Sequence, residues 1–262
     1  MKSFPFKSFL AGFAAALAMT WANAEADPAD KPGWKLTFED EFAGPSLDLQ
    51  KWNPNDPRGM ERNSELQAYV KDAFEASNGV LRIKAERRRA FYSGKERDYT
   101  SGMMTTLGKF SQQYGRFEIR CRIPKGKGMW PAFWLLPDPR GWPPEIDVLE
   151  TLGHEPDKVY MTHHFRDASG EHQSHGGSWK GPDFSAAFHE YAIEWSAERI
   201  QWFVDGVERY RSEKDVPHRK MFLLVNLAVG GDWPGAPDEN TAFPNAFEVQ
   251  SVRVYQKEPA QN

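Results

Sequence analysis

Glu145, Asp147 and Glu150 place three carboxylates within six residues, in the run Trp142-Pro143-Pro144-Glu145-Ile146-Asp147-Val148-Leu149-Glu150-Thr151-Leu152-Gly153. Like charges a few ångströms apart raise at least one pKa, so one glutamic acid can stay protonated near neutral pH while another stays ionised. Opening a glycosidic bond with retention needs that division of labour: one carboxylate attacks, and a second, about 5–5.5 Å away, acts as acid and then as base. A solvent-facing acidic edge or a divalent-metal site would draw on the same residue types.

The backbone decides whether these acids meet. On a helix, Glu145 and Glu150 would point about 140° apart. On a regular strand Glu145 and Asp147 share a face and Glu150 falls on the other, because side chains alternate with period two. One extra residue, a β-bulge between Asp147 and Glu150, would return Glu150 to the shared face. Ile146 and one of Val148 and Leu149 would then face the core.

The elements that must position this strand are themselves strands. From residue 34 onward short apolar-alternating runs are punctuated by Gly, Pro, Asn and Asp, with hardly any helical period, so the expected fold is all-β, a two-sheet sandwich or jelly roll. Strands are predicted at Val80–Ala85, Arg116–Ile123, Met221–Val229 (apolar enough to be covered on both sides) and Val249–Tyr255. Ile200–Val204 and Val207–Tyr210 flank Asp205-Gly206, a dipeptide suited to a two-residue hairpin turn. Helix is expected only as short turns, near Asp183–Phe188.

Composition narrows the function classes. Residues 1–24 read as an export signal: Lys2 and Lys7, an apolar centre from Phe9 to Met19, and Ala22-Asn23-Ala24 before a cleavage point near Glu25. The apolar run is too short to span a bilayer, so no membrane anchor is expected. Residues 25–262 are expected to form a single domain, secreted or periplasmic, and monomeric. Losing Lys2 and Lys7 takes the formal charge from −4 to −6, which argues against a nucleic-acid partner. The lone cysteine, Cys121, leaves no internal disulfide. Ten tryptophans exceed what a core requires, and aromatic faces stack on sugars. Trp130 and Trp134, four apart on an expected strand, share a face and suit either a sugar platform or core packing. Trp142 and Trp233, each beside a proline, would line subsites or anchor their loops, and Asn63 would contact sugar or make a turn. His154, His163, His164, His172 and His175 lack tight ligand spacing, so no metal site is expected from them.

Glu-Ile-Asp-Val-Leu-Glu, preceded by Gly128-Met129-Trp130-Pro131-Ala132-Phe133-Trp134-Leu135-Leu136-Pro137, strongly resembles glycoside hydrolase family 16, the laminarinases, lichenases, agarases and related endo-glycanases. Further matches are Phe38–Phe42, Asn63–Gln67, Tyr99–Gly102, Tyr114–Glu118, Trp202–Gly206 and Asn226–Gly231. The resemblance implies a jelly-roll sandwich with an open concave cleft and retaining hydrolysis inside a chain. By motif position it implies Glu145 as nucleophile, Glu150 as acid/base, Asp147 as the residue tuning the nucleophile, and His164 as the cleft histidine.

Two positions depart from the family pattern. Met103 stands where laminarinases carry an arginine, which argues against strict laminarin specificity. Gln250 stands where many relatives hold a structural calcium through aspartate, so calcium binding would be weakened. The flanking Trp142-Pro143-Pro144 and Gly153-His154-Glu155-Pro156 resemble exopolysaccharide-trimming members. The expected activity is an endo-β-1,3- or β-1,3-1,4-glucanase or exopolysaccharide depolymerase that needs no cofactor. A non-catalytic carbohydrate-binding protein on the same fold and a polysaccharide transglycosylase are the rivals.

Overall fold

The computed structural model describes Met1 and residues 31–259. The expected export signal, Met1 apart, lies outside the described residues. Among these residues the chain forms strands and turns without a helix, and no helix is long and apolar enough to cross a membrane. Asp183–Phe188 is a turn rather than a helical one: Asp183 Oδ1 accepts from the Ser185 backbone N–H at 3.0 Å, and such local side-chain bonds compete with helix.

The back sheet runs β16 (Val207–Ser212), β15 (Ile200–Val204), β14 (His189–Trp195), β9 (Gly115–Arg122), β18 (Asn245–Lys257), β4 (Val80–Ala85) and β3 (Phe74–Ser77), with β1 (Trp34–Asp40) also on β18. The cleft sheet runs β13 (His172–Lys180), β12 (Lys158–Arg166), β11 (Glu145–Thr151), β10 (Met129–Pro137), β17 (Met221–Val229) and β8 (Met103–Thr105). Two short ladders complete the described strands: β2 (Gln67–Tyr69) parallel to β7 (Tyr99–Ser101), and the hairpin of β5 (Ala90–Tyr92) and β6 (Lys95–Arg97).

Alternation explains how the sheets adhere. Phe117, Ile119 and Cys121 of β9 point inward and join Phe133 and Leu135 of β10 with Leu223, Val225 and Leu227 of β17 in one core. Each large side chain removed from water contributes about 1.5–3 kcal/mol. At its other end β17 is covered from the opposite side too, where Phe222 and Leu224 pack with Met103 and Leu136. Asp205 and Gly206 take φ of 49° and 74°, the left-handed pair that closes the β15–β16 hairpin. β18 begins four residues before the predicted start because a register shift between Val249 and Ser251 interrupts the alternation there.

Candidate active site

β11 lies between β10 and β12, and the acids depend on a fault in its pairing. Asp147 opposes Thr162 and Glu150 opposes Tyr160, so β11 advances three residues while β12 advances two. The same extra residue shows against β10, where Phe133 faces Leu149 and Trp134 faces Asp147. This bulge brings Glu145, Asp147 and Glu150 to one cleft wall. Both Val148 and Leu149 enter the core, where one was expected, because the two residues that oppose a single partner are turned the same way. Trp202 donates its indole N–H to the Asp147 carbonyl at 2.8 Å from the core side. Beyond Thr151, Gly153 exchanges backbone hydrogen bonds with Gly126 and Met129, and a Cβ there would run into the Gly126 carbonyl.

Burial, and then the neighbouring charges of Asp147 and Glu145, push the Glu150 carboxyl well above the usual range, against the Trp130 indole that donates to its Oε1 at 3.0 Å. Glu145 is also raised, by burial and by Asp147, to about 8, with His164 and Arg58 pulling against that rise. His164 Nε2 stands 3.2 Å from Asp147 Oδ2 and 3.7 Å from Glu145 Oε1, and Arg58 Nη2 stands 4.0 Å from Glu145 Oε2. Burial would lower the His164 imidazole, yet Asp147 and Glu145 outweigh it and leave its pKa raised. Cationic groups therefore gather at Glu145 and Asp147. Of the two glutamates Glu145 is therefore the easier to ionise, and the proton is held longest on Glu150.

The cleft has a volume of about 660 Å³. All the sequence-identified groups line it: Glu145, Asp147, Glu150, Asn63, Trp130, Trp134, Trp142, His164 and Trp233. Trp130 packs edge-on against Trp233 at 5.4 Å, and Trp233 against Tyr160 at 4.7 Å, at the Glu150 side. Trp142 sits beside His164 and His172 at the Glu145 side. Trp142 and Trp233 are exposed, 41% and 39%, which leaves ring surface free for a ligand. Asn63 both lines the cleft and makes a turn, at φ 52°. His163 turns into the core, fully buried, as period two requires once His164 faces the cleft.

Several cleft residues escaped the sequence reading. Asn226 accepts from Trp134 Nε1 at 2.7 Å and donates to Tyr69 Oη at 3.2 Å, a chain that orients the Trp134 ring. The polar interruption of an apolar strand was its available signal. Arg58 and Arg62 also line the cleft, and no periodicity or motif marks them, while His172, weighed in the sequence only as a metal ligand, lines it too.

Potential ligand atoms of Glu145, Asp147 and His164 lie within 4.8 Å of one another, close enough for a divalent cation. Among the described residues His154, His163, His172 and His175 do not join that group. At the position where the family resemblance implied a calcium-binding aspartate, Gln250 Oε1 already accepts from Arg120 Nε at 2.8 Å. A neutral, engaged oxygen beside a guanidinium does not suit calcium, which takes several free oxygen ligands.

The chain is 40% identical over 257 residues to a β-glucanase of Rhodothermus marinus, covering 87% of this chain and 88% of that protein. It is 34% identical over 273 residues to the endo-1,3-1,4-β-glycanase ExsH of Rhizobium meliloti (strain 1021), covering 91% of this chain but 57% of that longer protein. Among solved structures it superposes on the laminarinase catalytic domain from Thermotoga maritima MSB8 with a TM-score of 0.79 and 36% identity, covering 86% of this chain and 99% of that one. Residues 62–243, which hold the bulged strand, His164 and the cleft tryptophans, match the family described as glycosyl hydrolases family 16. The chain belongs to that family and is a glycoside hydrolase on its two-sheet jelly roll.

Proposed function

We propose that the protein is an exported, endo-acting β-glucanase that hydrolyses internal β-1,3 or β-1,3-1,4 bonds of a glucan or bacterial exopolysaccharide with retention of configuration. The observation that carries this reading is the bulge, which turns Glu145 and Glu150 to one cleft wall while His164 and Arg58 stand only on the Glu145 side. Glu145 attacks the anomeric carbon as the bond to the leaving sugar oxygen breaks, and Glu150 gives that oxygen its proton. Water then enters, Glu150 removes its proton, and the Glu145–sugar bond opens. Asp147, paired with His164, positions Glu145 and keeps charge on that side of the cleft.

The names of the Rhodothermus and Rhizobium relatives support a β-glucan substrate. Lys2, Lys7 and the apolar run after them support export to the periplasm or the medium as a monomeric mature chain from about Glu25. No cofactor enters the scheme.

Reducing-end release from laminarin, mixed-linkage glucan, agarose and succinoglycan-like polymer, with the mature protein and E145Q in parallel, tests it. Cleavage of a glucan by the wild type and a loss of about 10³-fold or more in E145Q is expected. Binding without cleavage would replace hydrolysis by a lectin-like role, and products longer than the substrate would mark a transglycosylase.

A further inference from the structure

The Arg58 side chain lines the cleft with a guanidinium nitrogen that has no hydrogen-bond partner among the described residues. Its Nη2 is buried and unbonded, its guanidinium lies 5.9 Å from the Trp134 ring, and its nearest carboxylate is Glu145 at 4.0 Å. Arg62, also in the cleft wall, leaves Nη1 buried and unbonded. Arg97 Nε and Arg209 Nε are also buried without a partner, but only Arg58 and Arg62 of these four line the cleft, where a ligand can supply the acceptors that a buried guanidinium N–H needs.

The segment that carries them is fastened in advance. Asp56 accepts twice from Arg62 Nη2, at 2.8 and 2.9 Å, from Tyr92 Oη at 2.5 Å and from the Arg58 backbone N–H at 2.9 Å. Tyr92 belongs to the β5–β6 hairpin, which stands outside both main sheets. That hairpin also receives the Glu61 N–H on Ser93 Oγ at 3.0 Å and pairs Lys95 with Glu61 at 2.8 Å. From the other side Arg140 donates to the Pro57 carbonyl at 2.6 Å. Asp56 offsets Arg62, and Glu65, the next acid in the wall, is raised by burial toward its neutral form. Arg58, only loosely paired with Glu145 at 4.0 Å, is thus the guanidinium whose hydrogen-bonding capacity is left to face whatever lies over Trp134 beside Glu145.

We propose that Arg58, backed by Arg62, forms a subsite for an acidic substituent, a carboxylate or sulfate ester, on a sugar bound next to Glu145, so that the preferred substrate is an acidic β-linked polysaccharide. A guanidinium fork matches either anion with two parallel N–H groups, while the Trp134 face takes the apolar side of the sugar ring. This rests on the hydrolase reading for its kinetic test but not for its binding test.

The kinetic test compares kcat/KM on a uronate-bearing β-glucan, on the same polymer after its carboxyls are reduced to alcohols, and on a sulfated laminarin. The wild type is expected to favour an anionic polymer, with the preference falling in high salt. R58M should reduce the acidic-to-reduced ratio by about 10- to 100-fold, the scale of a lost charge-assisted hydrogen bond. R58K should retain part of the preference, and R89M, a change on an exposed arginine paired with Asp98, all of it. The uronate and sulfate arms distinguish which anion is read. An unchanged ratio in R58M, or an equal fall on both polymers, would overturn the proposal and leave Arg58 only a charge near Glu145. Calorimetry of E150Q and E150Q/R58M with acidic and reduced oligosaccharides separates the two readings: an Arg58-dependent binding preference without cleavage retains this subsite and removes the hydrolase mechanism. Equal binding of both oligosaccharides by E150Q would reject the subsite.

Discussion

Trp202 of β15 donates its indole N–H to the backbone carbonyl of Asp147 at 2.8 Å, reaching across the core to the bulge in β11. A bulge leaves backbone groups without their ladder partner, and this one is satisfied by the opposite sheet. W202F would keep most of the apolar bulk but orphan that carbonyl. The expected loss is about 1–3 kcal/mol from the unmet hydrogen bond, together with a lower kcat as Asp147 and Glu150 lose their registration. Denaturant unfolding and polymer kinetics check both; full kcat with lowered stability would confine Trp202 to packing.

Glu150 buries a carboxyl whose pKa is raised by burial first and by two neighbouring acids second. A carboxyl raised above its unfolded value costs stability as pH rises past the unfolded pKa, and costs none below it. E150Q should therefore lower kcat by about 10²–10⁴-fold on an unactivated polymer. The same change should raise Tm at pH 8 by several degrees, at about 2–4 °C per kcal/mol for a chain of this size. Calorimetry at pH 4 should find the gain gone. A gain equal at both pH values would sink the electrostatic explanation.

His164 lowers the pKa of Glu145 from 3.7 Å away, and that of Asp147 from 3.2 Å. H164Q removes the cation, so more alkaline solution is needed to ionise the nucleophile side. The acidic limb of kcat/KM should move up by about 1 pH unit, the usual scale of one close opposite charge. A profile that merely drops in height would mean that His164 contacts substrate without tuning the acids.

His163, next to His164 on β12 and fully buried on its core face, has its imidazole pushed down to about 4 by burial and by His175. Both folded and unfolded forms are neutral above about pH 6.5, so the residue has no pH-linked effect there. As pH falls from 6.5 toward 4 the unfolded chain gains the proton first, and stability is lost by on the order of 3 kcal/mol. Urea unfolding of wild type and H163F across that range should show the acid-side loss flattened in the variant; parallel curves would assign the loss elsewhere.

Gln250 Oε1 is engaged by Arg120, and an arginine is a poor neighbour for calcium. Dialysis against a chelator should leave Tm unchanged. A fall in Tm restored by added calcium would place a bound ion in the folded protein.

The sequence by itself determined the strand composition, the Asp205-Gly206 hairpin, the identity of the three acids and the need for one extra residue between Asp147 and Glu150. These are local matters: period two and the turn chemistry of two residues leave few solutions. It determined equally that His163 and His164 must face opposite ways, but which one meets the acids depends on the β11–β12 register, pairing Glu145 with His164. Only the tertiary structure decided that Trp202 secures the bulge from a strand 55 residues away. It alone placed Asn226 under Trp134 and held Arg58 over the cleft by the β5–β6 hairpin. Those contacts join segments remote in sequence whose residue types carry no period, so their meeting is set by how two sheets and a loop pack and not by any local preference.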